Sequence, residues 1–551
     1  MLSLQLHTST DDPLKRHLRP LHLEKQWSAA IKLLSQRSGR LQALICGPKA
    51  SGKSTFGRYL LNHLLSPAPQ TESNYHNTDG VAFVDLDPGQ PEFSPMGQVY
   101  LAHLRSPVFG PPFTHPVLDN QRDGSIVRAH HIGATSPKDD PDHYVLAVTD
   151  LVERYRALLA TYPQCPLIIN YPGWIFGLGL EVATYFIRSL GLSDVVYMSE
   201  KGPTEVIEPL RQAAGLARTP LTILPSQPTE FVSRSSAQLR SMQMQSYFHM
   251  AQPSGVNHPI WLDRPVFRNR PFRVRYAGSG RGIHGIMTLG SQLSPDLLAG
   301  SLEGAVVGVV AVESPAALPT AHPDTAAENP QADSDCNPDS DSDPDINMNT
   351  DINTTQPTPT TTPLNSSSLA TTTTQTPESL PYLITGPGTS TPLHPSHSHT
   401  LGLALIRTIS PQTQTLDLDT PIAPRTLIDT LERGHALVLV RGAVDSPTWA
   451  VAEEYYAAGA EERRVRRAFK RGRASVDRGS RDGSGDGIEG QSEEDVKRML
   501  ALLKERVRRA KDVPYMTVLE DHGRRRQEEA QARVWKLRKK AGPDSGDEVG
   551  Y

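Results

Sequence analysis

The chain has 551 residues, a formal net charge of −4, 47 prolines, 3 cysteines and 37% apolar content, so it is too rich in proline (usual ~5%) and too poor in apolar residues (usual ~45–50%) to be one compact body. Its length allows roughly three domains, while the wide spacing of Cys46, Cys165 and Cys336 excludes a disulfide framework and a cysteine zinc site. The longest strongly apolar stretch, Ala305–Val312, is eight residues against the ~20 of a membrane span, and the charged first twenty residues hold no signal-peptide run, so a soluble intracellular protein with no membrane partner is expected.

Leu41–Cys46 reads as a short apolar strand entering a glycine turn, and Ser54–Leu65 as a helix, with Phe56, Leu60, Leu61, Leu64 and Leu65 at helical spacing. Val81–Val84 is a second buried strand, followed by a helix over Tyr144–Thr161 and a third strand at Leu167–Ile169. Helices at Leu180–Leu190 and Glu205–Ala214 alternate with strands at Val195–Tyr197 and Leu221–Leu224. Such alternation predicts a doubly wound α/β domain with a largely parallel sheet over 25–255. Short β-like runs in 265–312 and 400–452 predict one small β-rich domain in two halves. Between them, 313–398 carries eleven Asp or Glu in a Thr/Ser/Pro background, within a stretch from Arg281 to Arg407 that holds no Lys or Arg. A segment of that composition buries too little apolar surface to offset its chain entropy and is expected to be a disordered insert. The tail, 453–551, reverses the charge: residues 461–540 hold 24 basic against 15 acidic residues. A solvated charged helix or tail explains this, as does nuclear import or contact with nucleic-acid phosphate.

The most specific local signal is Gly47-Pro48-Lys49-Ala50-Ser51-Gly52-Lys53-Ser54-Thr55, a complete G-x-x-x-x-G-K-[ST] loop between strand and helix. Its glycines let successive backbone N–H groups curl around phosphates at a helix N-terminus. Lys53 is expected to reach the β- and γ-phosphates and Ser54 to ligate Mg²⁺, so the cofactors are ATP and Mg²⁺. Pro48 stands where a partition-type ATPase carries its second lysine, and no Asn-Lys-x-Asp guanine-reading motif is present; both classes are excluded.

The next strand ends Val84-Asp85-Leu86-Asp87-Pro88-Gly89-Gln90-Pro91. Two carboxylates at a strand's C-terminal end lie beside the phosphate loop in this fold class. One can support Mg²⁺, and the other can take the proton of an attacking hydroxyl. Further on, Trp174 sits between Gly173 and a Gly177-x-Gly179 turn. A rigid indole is either a core residue or a face on which any base stacks.

Together, G-P-K-x-S-G-K-S-T, D-L-D-P-G-Q-P-E and N-Y-P-G-W-I-F-G-L-G resemble the polynucleotide 5′-hydroxyl kinases of RNA processing, specifically the nucleolar pre-ribosomal RNA branch. That family is related to the kinase-fold subunit of the pre-mRNA 3′-end cleavage machinery. The resemblance covers 25–255 closely and 265–310 with 400–450 loosely. It implies ATP-dependent phosphorylation of an RNA 5′-hydroxyl, a partner endonuclease that cuts pre-rRNA spacer, and residence in the nucleus and nucleolus. By motif, Asp87 matches the general base, and Asp85 and Gln90 order metal and substrate. Gly133-Ala-Thr135-Ser136-Pro137, with Asp140-Pro141, matches a substrate-side motif, and Asn170 to Trp174, including Gly173, matches the clasp on the RNA end. Arg234 and Arg240 are candidate lid arginines, although their spacing is not the usual R-x-x-x-R.

Two departures stand out. Tyr171 replaces the usual clasp threonine, and only 46 residues precede Gly47 where relatives carry a β-rich domain. The segment 1–24 is therefore expected to lack that domain. A non-catalytic ATP-binding scaffold and a nucleoside kinase are the competing functions.

Overall fold

In a computed structural model, the described residues are 23–66, 79–118, 122–200, 202–227, 234–251, 259–318, 373–385, 388–476 and 493–511. Seven strands form the first sheet: β1 (Gln42–Cys46), β2 (Val81–Asp85), β3 (Gln98–Leu104), β4 (Gly124–His131), β5 (Leu167–Asn170), β6 (Asp194–Met198) and β7 (Leu221–Leu224). Their order is β4-β3-β2-β5-β1-β6-β7. The five strands from β2 to β7 in that order are parallel, whereas β3 and β4 are antiparallel additions at one edge. Six helices accompany it: α1 (Lys25–Ser35), α2 (Lys53–Leu65), α3 (Pro141–Leu158), α4 (Leu178–Ser189), α5 (Thr204–Leu216) and α6 (Ser236–His249).

Alternation along each strand decides which side chains meet which helix layer. Ala43, Ile45 and Phe83 face Trp27, Leu34, Phe56 and Leu60 of α1 and α2. Leu44, Val84, Ile169 and Val195 face Tyr144, Leu151, Phe186 and Leu210 of α3, α4 and α5. Both faces are covered, so the central strands read as unbroken apolar runs. The expected α/β phosphate-loop core holds. The antiparallel pair β3 and β4 went unread, because Gln98–Leu104 mixes Gln98 and His103 with apolar residues although all seven positions are buried.

A second sheet follows a short β8 (Met250–Ala251) and β9 (Ile260–Trp261) pair. Its strands are β10 (Phe272–Arg275), β11 (Gly285–Thr288), β13 (Val306–Val312), β14 (Thr373–Gln375), β15 (Pro381–Leu383), β17 (Ser398–Ser410), β18 (Thr415–Asp419) and β19 (Ala436–Arg441). They are ordered β10-β18-β17-β13-β19-β11-β15-β14. The short strands β12 (Gly290–Ser291) and β16 (Thr389–Ser390) pair with each other, and helices α7 (Pro295–Leu302) and α8 (Pro424–Glu432) complete this part. The expected disordered insert, 313–398, is therefore too wide. Residues 313–318 and most of 373–398 are built into this domain, where Ala317, Leu380, Tyr382, Leu383 and Leu393 are buried. Averaging their composition with that of 319–372, which lies outside the described residues, hid them.

The chain divides into two compact units. One holds both sheets, through Leu262 and again from Pro271 to Ser446; the other combines Asp263–Arg270 with the chain from Pro447. The described part of this second unit contains helices α9 (Thr448–Val476) and α10 (Glu493–Lys511), where a charged tail starting at 453 was expected. Among the described residues, Val465 and Leu503 pack together, with Met499 and Leu500 against them. The basic runs Arg524–Arg526 and Lys536–Lys540 lie outside the described residues, as does the segment before Leu23. No helix among the described residues is long and apolar enough to cross a membrane.

Within the first unit a buried charge network ties the sheets together. Arg128 of β4 donates to Asp150 of α3 at 3.1 Å, to the carbonyl of Pro395 at 2.9 Å and to Glu313. His130 bonds the same Asp150 oxygen at 2.8 Å, and His399 of β17 bonds Glu313 at 2.8 Å. Burial alone would raise the Glu313 carboxyl, but hydrogen bonds from His399 and Arg128 hold it well below the usual range. Asp150 is likewise held low, against burial, by His130 and Arg128. Breaking one partner of a buried ion pair leaves an uncompensated charge. Arg128→Met should cost ~3–5 kcal/mol in thermal or denaturant unfolding at pH 7. Carboxyls depressed in the fold stabilise it above their unfolded pKa and lose that contribution as the pH falls through their folded values. The deficit of Arg128→Met relative to wild type should therefore shrink as the pH falls below ~4.

Candidate active site

The strands β2, β5 and β1 lie side by side with Asp85, Asn170 and Ile45 in register at their C-terminal ends, the edge at which open α/β sheets bind ligands. From β1 the chain turns through the phosphate loop into α2. Gly47 has φ +144°, and a Cβ there would lie 2.6 Å from the carbonyl oxygen of Met198. Gly52, with φ +101°, is the left-handed residue immediately before α2, and a Cβ there would strike the Trp27 ring at 2.8 Å. Both glycines are thus required by conformation and by close approach. Ala50 also takes a positive φ of 65°, as the curl of the loop demands.

Lys53 is buried, and its Nζ donates to the carbonyl of Pro48 at 2.9 Å, across the mouth of the loop. Burial pushes its pKa down, opposed by the charge of Asp87. The Ser51 hydroxyl is buried with no hydrogen-bond partner among the described residues. Ser54 and Thr55 are half-buried at the start of α2, and Lys49 is exposed. Behind the loop, Trp27 Nε1 donates to the Pro225 carbonyl at 2.8 Å, and the Gln227 amide donates to the Ser51 carbonyl at 3.0 Å. The chain after β7 is laid over the loop in this way.

Asp85 is completely buried and accepts four hydrogen bonds. Oδ1 takes them from Asn170 Nδ2 at 2.9 Å and the Asp87 amide at 3.2 Å. Oδ2 takes them from the Glu92 amide at 2.8 Å and the Tyr100 hydroxyl at 3.0 Å. These four donors fill the ~four lone-pair positions of a carboxylate. Burial pushes the carboxyl up to about 7, with the bond from the Glu92 amide opposing the rise. Direct metal ligation by Asp85 would require one of these bonds to open.

Asp87 differs. It is half-buried, and its Oδ1 accepts from the amides of Gly89 at 3.0 Å and Gln90 at 3.2 Å. Its Oδ2 accepts no hydrogen bond from a described residue. Burial raises its pKa, and Lys53 and then Lys49 pull it back. This carboxylate is oriented by one oxygen and open at the other, in the field of the phosphate-loop lysine. Gln90 is half-buried beside it.

The segments expected on the substrate side converge on the same edge. Gly89 leaves no room for a Cβ, which would lie 2.6 Å from the Thr135 carbonyl oxygen, and Thr135 and Ser136 are half-buried. Asp140 serves as the cap of α3, accepting from the His143 amide at 3.0 Å. Asn170 Oδ1 is buried and has no hydrogen-bond partner among the described residues. Gly173 packs on the phosphate loop itself, since a Cβ there would meet Lys49 Cα at 2.9 Å. Trp174 is half-buried, and its ring covers Gly179, where a Cβ would lie 2.6 Å from Cγ of the indole. Tyr171, in the place of the usual threonine, points inward and donates to the Gly179 carbonyl at 2.7 Å. It holds the turn under Trp174 and offers nothing to a ligand.

The lid candidates are already engaged. Arg240 pairs with Asp445 at 2.5 Å, and Arg234 lies 5.9 Å over the Phe113 ring. Sequence reading missed Tyr100, Trp27 and Gln243, whose Nε2 donates to the carbonyls of Pro91 and Ser94, each at 2.8 Å. It also missed Glu92, which joins Arg58 at 2.8 Å to His115 at 3.1 Å. Glu92 alone had a local signal, as the last residue of D-L-D-P-G-Q-P-E.

Residues 47–250 match the family model described as mRNA cleavage and polyadenylation factor CLP1 P-loop. The resemblance read from the motifs holds along nearly the whole chain. It is 72% identical over 99% of its length to the polynucleotide 5′-hydroxyl-kinase grc3 of Emericella nidulans, and 62% identical over 98% to that of Aspergillus terreus. It spans 64% and 65% of those two relatives' lengths. Among solved structures, a wild-type Clp1p–Pcf11p complex aligns with 15% identity and a TM-score of 0.45, over 77% of this chain and 80% of that chain.

The two carboxylates have separable consequences. In Asp85→Asn, two of the four donors face an amide NH₂ instead of an acceptor, at ~1–3 kcal/mol for each unsatisfied group. Thermal unfolding should show a loss of ~2–6 kcal/mol. Asp87→Asn keeps an oxygen for the Gly89 and Gln90 amides and should stay within about 1 kcal/mol of wild type.

Proposed function

We propose that this chain, a relative of the polynucleotide 5′-hydroxyl-kinases over nearly its whole length, transfers the γ-phosphate of ATP to the 5′-hydroxyl of RNA. The observation that carries this reading is the contrast at the β2 end: a fully engaged Asp85 fixing the loop, and a half-open Asp87 beside Lys53. Water-directed hydrolysis does not require a clasp. Here Asn170, Gly173 and Trp174 extend the phosphate loop into a second surface.

In this mechanism the loop amides, the Lys53 ammonium and the α2 N-terminus hold the triphosphate. The glycine curl and the unpartnered Ser51 hydroxyl fit such an anion. Ser54 is the residue that would hold Mg²⁺, with Asp85 acting behind it by orienting Asn170 and the Asp87 backbone. When bound, Mg²⁺ supplies neutralisation of charge on the phosphate oxygens. Asp87 takes the proton of the 5′-hydroxyl as that oxygen bonds to the γ-phosphorus. The bond from phosphorus to the β-phosphate bridging oxygen breaks, and ADP leaves. Trp174 gives the terminal base a stacking face worth ~1–3 kcal/mol without sequence preference. Thr135, Ser136 and Gln90 border the acceptor side. Arg234 and Arg240 would have to leave Phe113 and Asp445 to act as lid residues. The nucleus and nucleolus as location, and an endonuclease that leaves 5′-hydroxyl ends as partner, belong to this proposal on the strength of the sequence resemblance alone.

The test is transfer of label from γ-labelled ATP to a 5′-hydroxyl oligoribonucleotide. Wild type should transfer. Lys53→Ala and Asp87→Asn should each reduce the rate by ~10²-fold or more, with Asp87→Asn retaining ATP binding. Tight ATP binding with no transfer would support the scaffold reading instead.

A further inference from the structure

The helical hairpin of the second unit has a segregated charge pattern. All four acidic side chains of α9 are engaged. Glu454 accepts from Arg268 at 2.8 Å and from Arg506 of α10 at 3.0 Å. Glu461 takes a second nitrogen of Arg268 at 3.3 Å, Glu462 pairs with Arg466, and Glu453 accepts the Val266 amide at 3.2 Å. The arginines that follow are not compensated: Arg463, Arg464 and Arg467 are exposed and form no ion pair with a described residue. In α10, Arg498 and Lys504 are exposed and likewise unpaired among the described residues.

Helical geometry aligns these groups with an aromatic ring. Ala458 and Val465 are buried and mark the inward face. Tyr456, 56% exposed, stands opposite. Around a helix of 3.6 residues per turn, positions 463 and 467 each fall about 20° from position 456, on either side of it, and about 40° from each other, so Tyr456, Arg463 and Arg467 form one outward stripe, flanked by Arg464. A solvated charged helix would scatter its ion pairs over both ends. This one neutralises its acidic half internally and leaves a stripe of fixed positive charge with an exposed phenol.

We infer that the α9 stripe of Tyr456, Arg463, Arg464 and Arg467 is a docking surface for single-stranded RNA, gripping phosphates with the guanidinium groups and stacking a base on the tyrosine. Arginine presents a planar fork suited to phosphate oxygens, and base–aromatic stacking tolerates any sequence. The surface extends the proposed kinase reading by giving the RNA a second, sequence-independent hold away from its 5′ end. It stands independently of phosphoryl transfer.

The test uses the full chain and a 5′-phosphorylated single-stranded oligoribonucleotide of about twenty nucleotides, which cannot be a kinase acceptor. Binding is measured as a function of salt. Replacing Arg463, Arg464 and Arg467 together by Gln should lower affinity about tenfold or more at 0.1 M salt and reduce the slope of log K against log salt by about 2. The corresponding triple Lys variant should keep the slope. Tyr456→Ala should weaken binding with the slope unchanged. Loss of phosphoryl transfer with this pattern intact would refute the kinase reading and leave the surface standing. Unchanged affinity and slope in the Gln variant would overturn the inference. Unchanged RNA binding with lost binding to a poly-glutamate peptide would overturn it in favour of an acidic protein partner. If the Gln variant misfolds, the Lys and Tyr456 variants decide: a changed slope in the first, or no weakening in the second, overturns it.

Discussion

The site depends on one buried carboxylate. Asp85 sits at the end of a central strand with no exposure to water, a position that would be strongly unfavourable for an isolated charge. It is tolerated because four donors from four places in the chain converge on it: the amides of Asp87 and Glu92, the Asn170 side chain and the Tyr100 hydroxyl. The same bonds impose geometry. They start and close the Asp87–Glu92 turn, set the clasp asparagine against that turn, and bring in β3. Tyr100 extends the hub by accepting from the Phe93 amide at 2.7 Å. Asp87 can remain half-open because its neighbour supplies the rigidity.

The β-rich domain supports this arrangement from outside. β4 runs directly into the Gly133-to-Ser136 segment, and Arg128 fixes β4 to Glu313 and Pro395. Beyond the strand, Gly133 and Gly442 cross so closely that a Cβ on Gly442 would lie 2.0 Å from the Gly133 carbonyl oxygen. Ala134 pairs with Ala443, and Asp445 holds Arg240 of α6. The Gly133-to-Ser136 loop is thus set by two sheets. Distortion in the second sheet should be felt as misplacement of Thr135 and Ser136, and geometric errors of that kind are costly for a reaction that depends on positioning.

Sequence made the phosphate loop and the β2 carboxylates legible because their chemistry is local: fixed residues at fixed spacing between a strand and a helix. The alternation of apolar runs and helices likewise disclosed the α/β core. Long-range partners left no such trace. Tyr100 lies fifteen residues from Asp85 and Glu313 lies 185 from Arg128, and neither has a motif around it. Composition misled over 373–398, where a few buried residues such as Leu380 and Tyr382 are diluted by Thr, Ser and Pro. The motif reading gave the two carboxylates different duties, metal support for Asp85 and proton acceptance for Asp87. Their hydrogen bonds separate them, since one is saturated and the other is not.

The central claim is that Asp87 must be ionised to receive the proton, at a pKa raised by burial and restrained by the lysines of the phosphate loop. The most direct measurement is the pH dependence of single-turnover phosphate transfer to a 5′-hydroxyl oligoribonucleotide, for wild type and for Lys49→Ala. The acid limb should lie above the ordinary carboxylate value of ~4 and move to higher pH when the exposed Lys49 charge is removed. An acid limb at the ordinary value, or one that does not move in Lys49→Ala, would contradict the account.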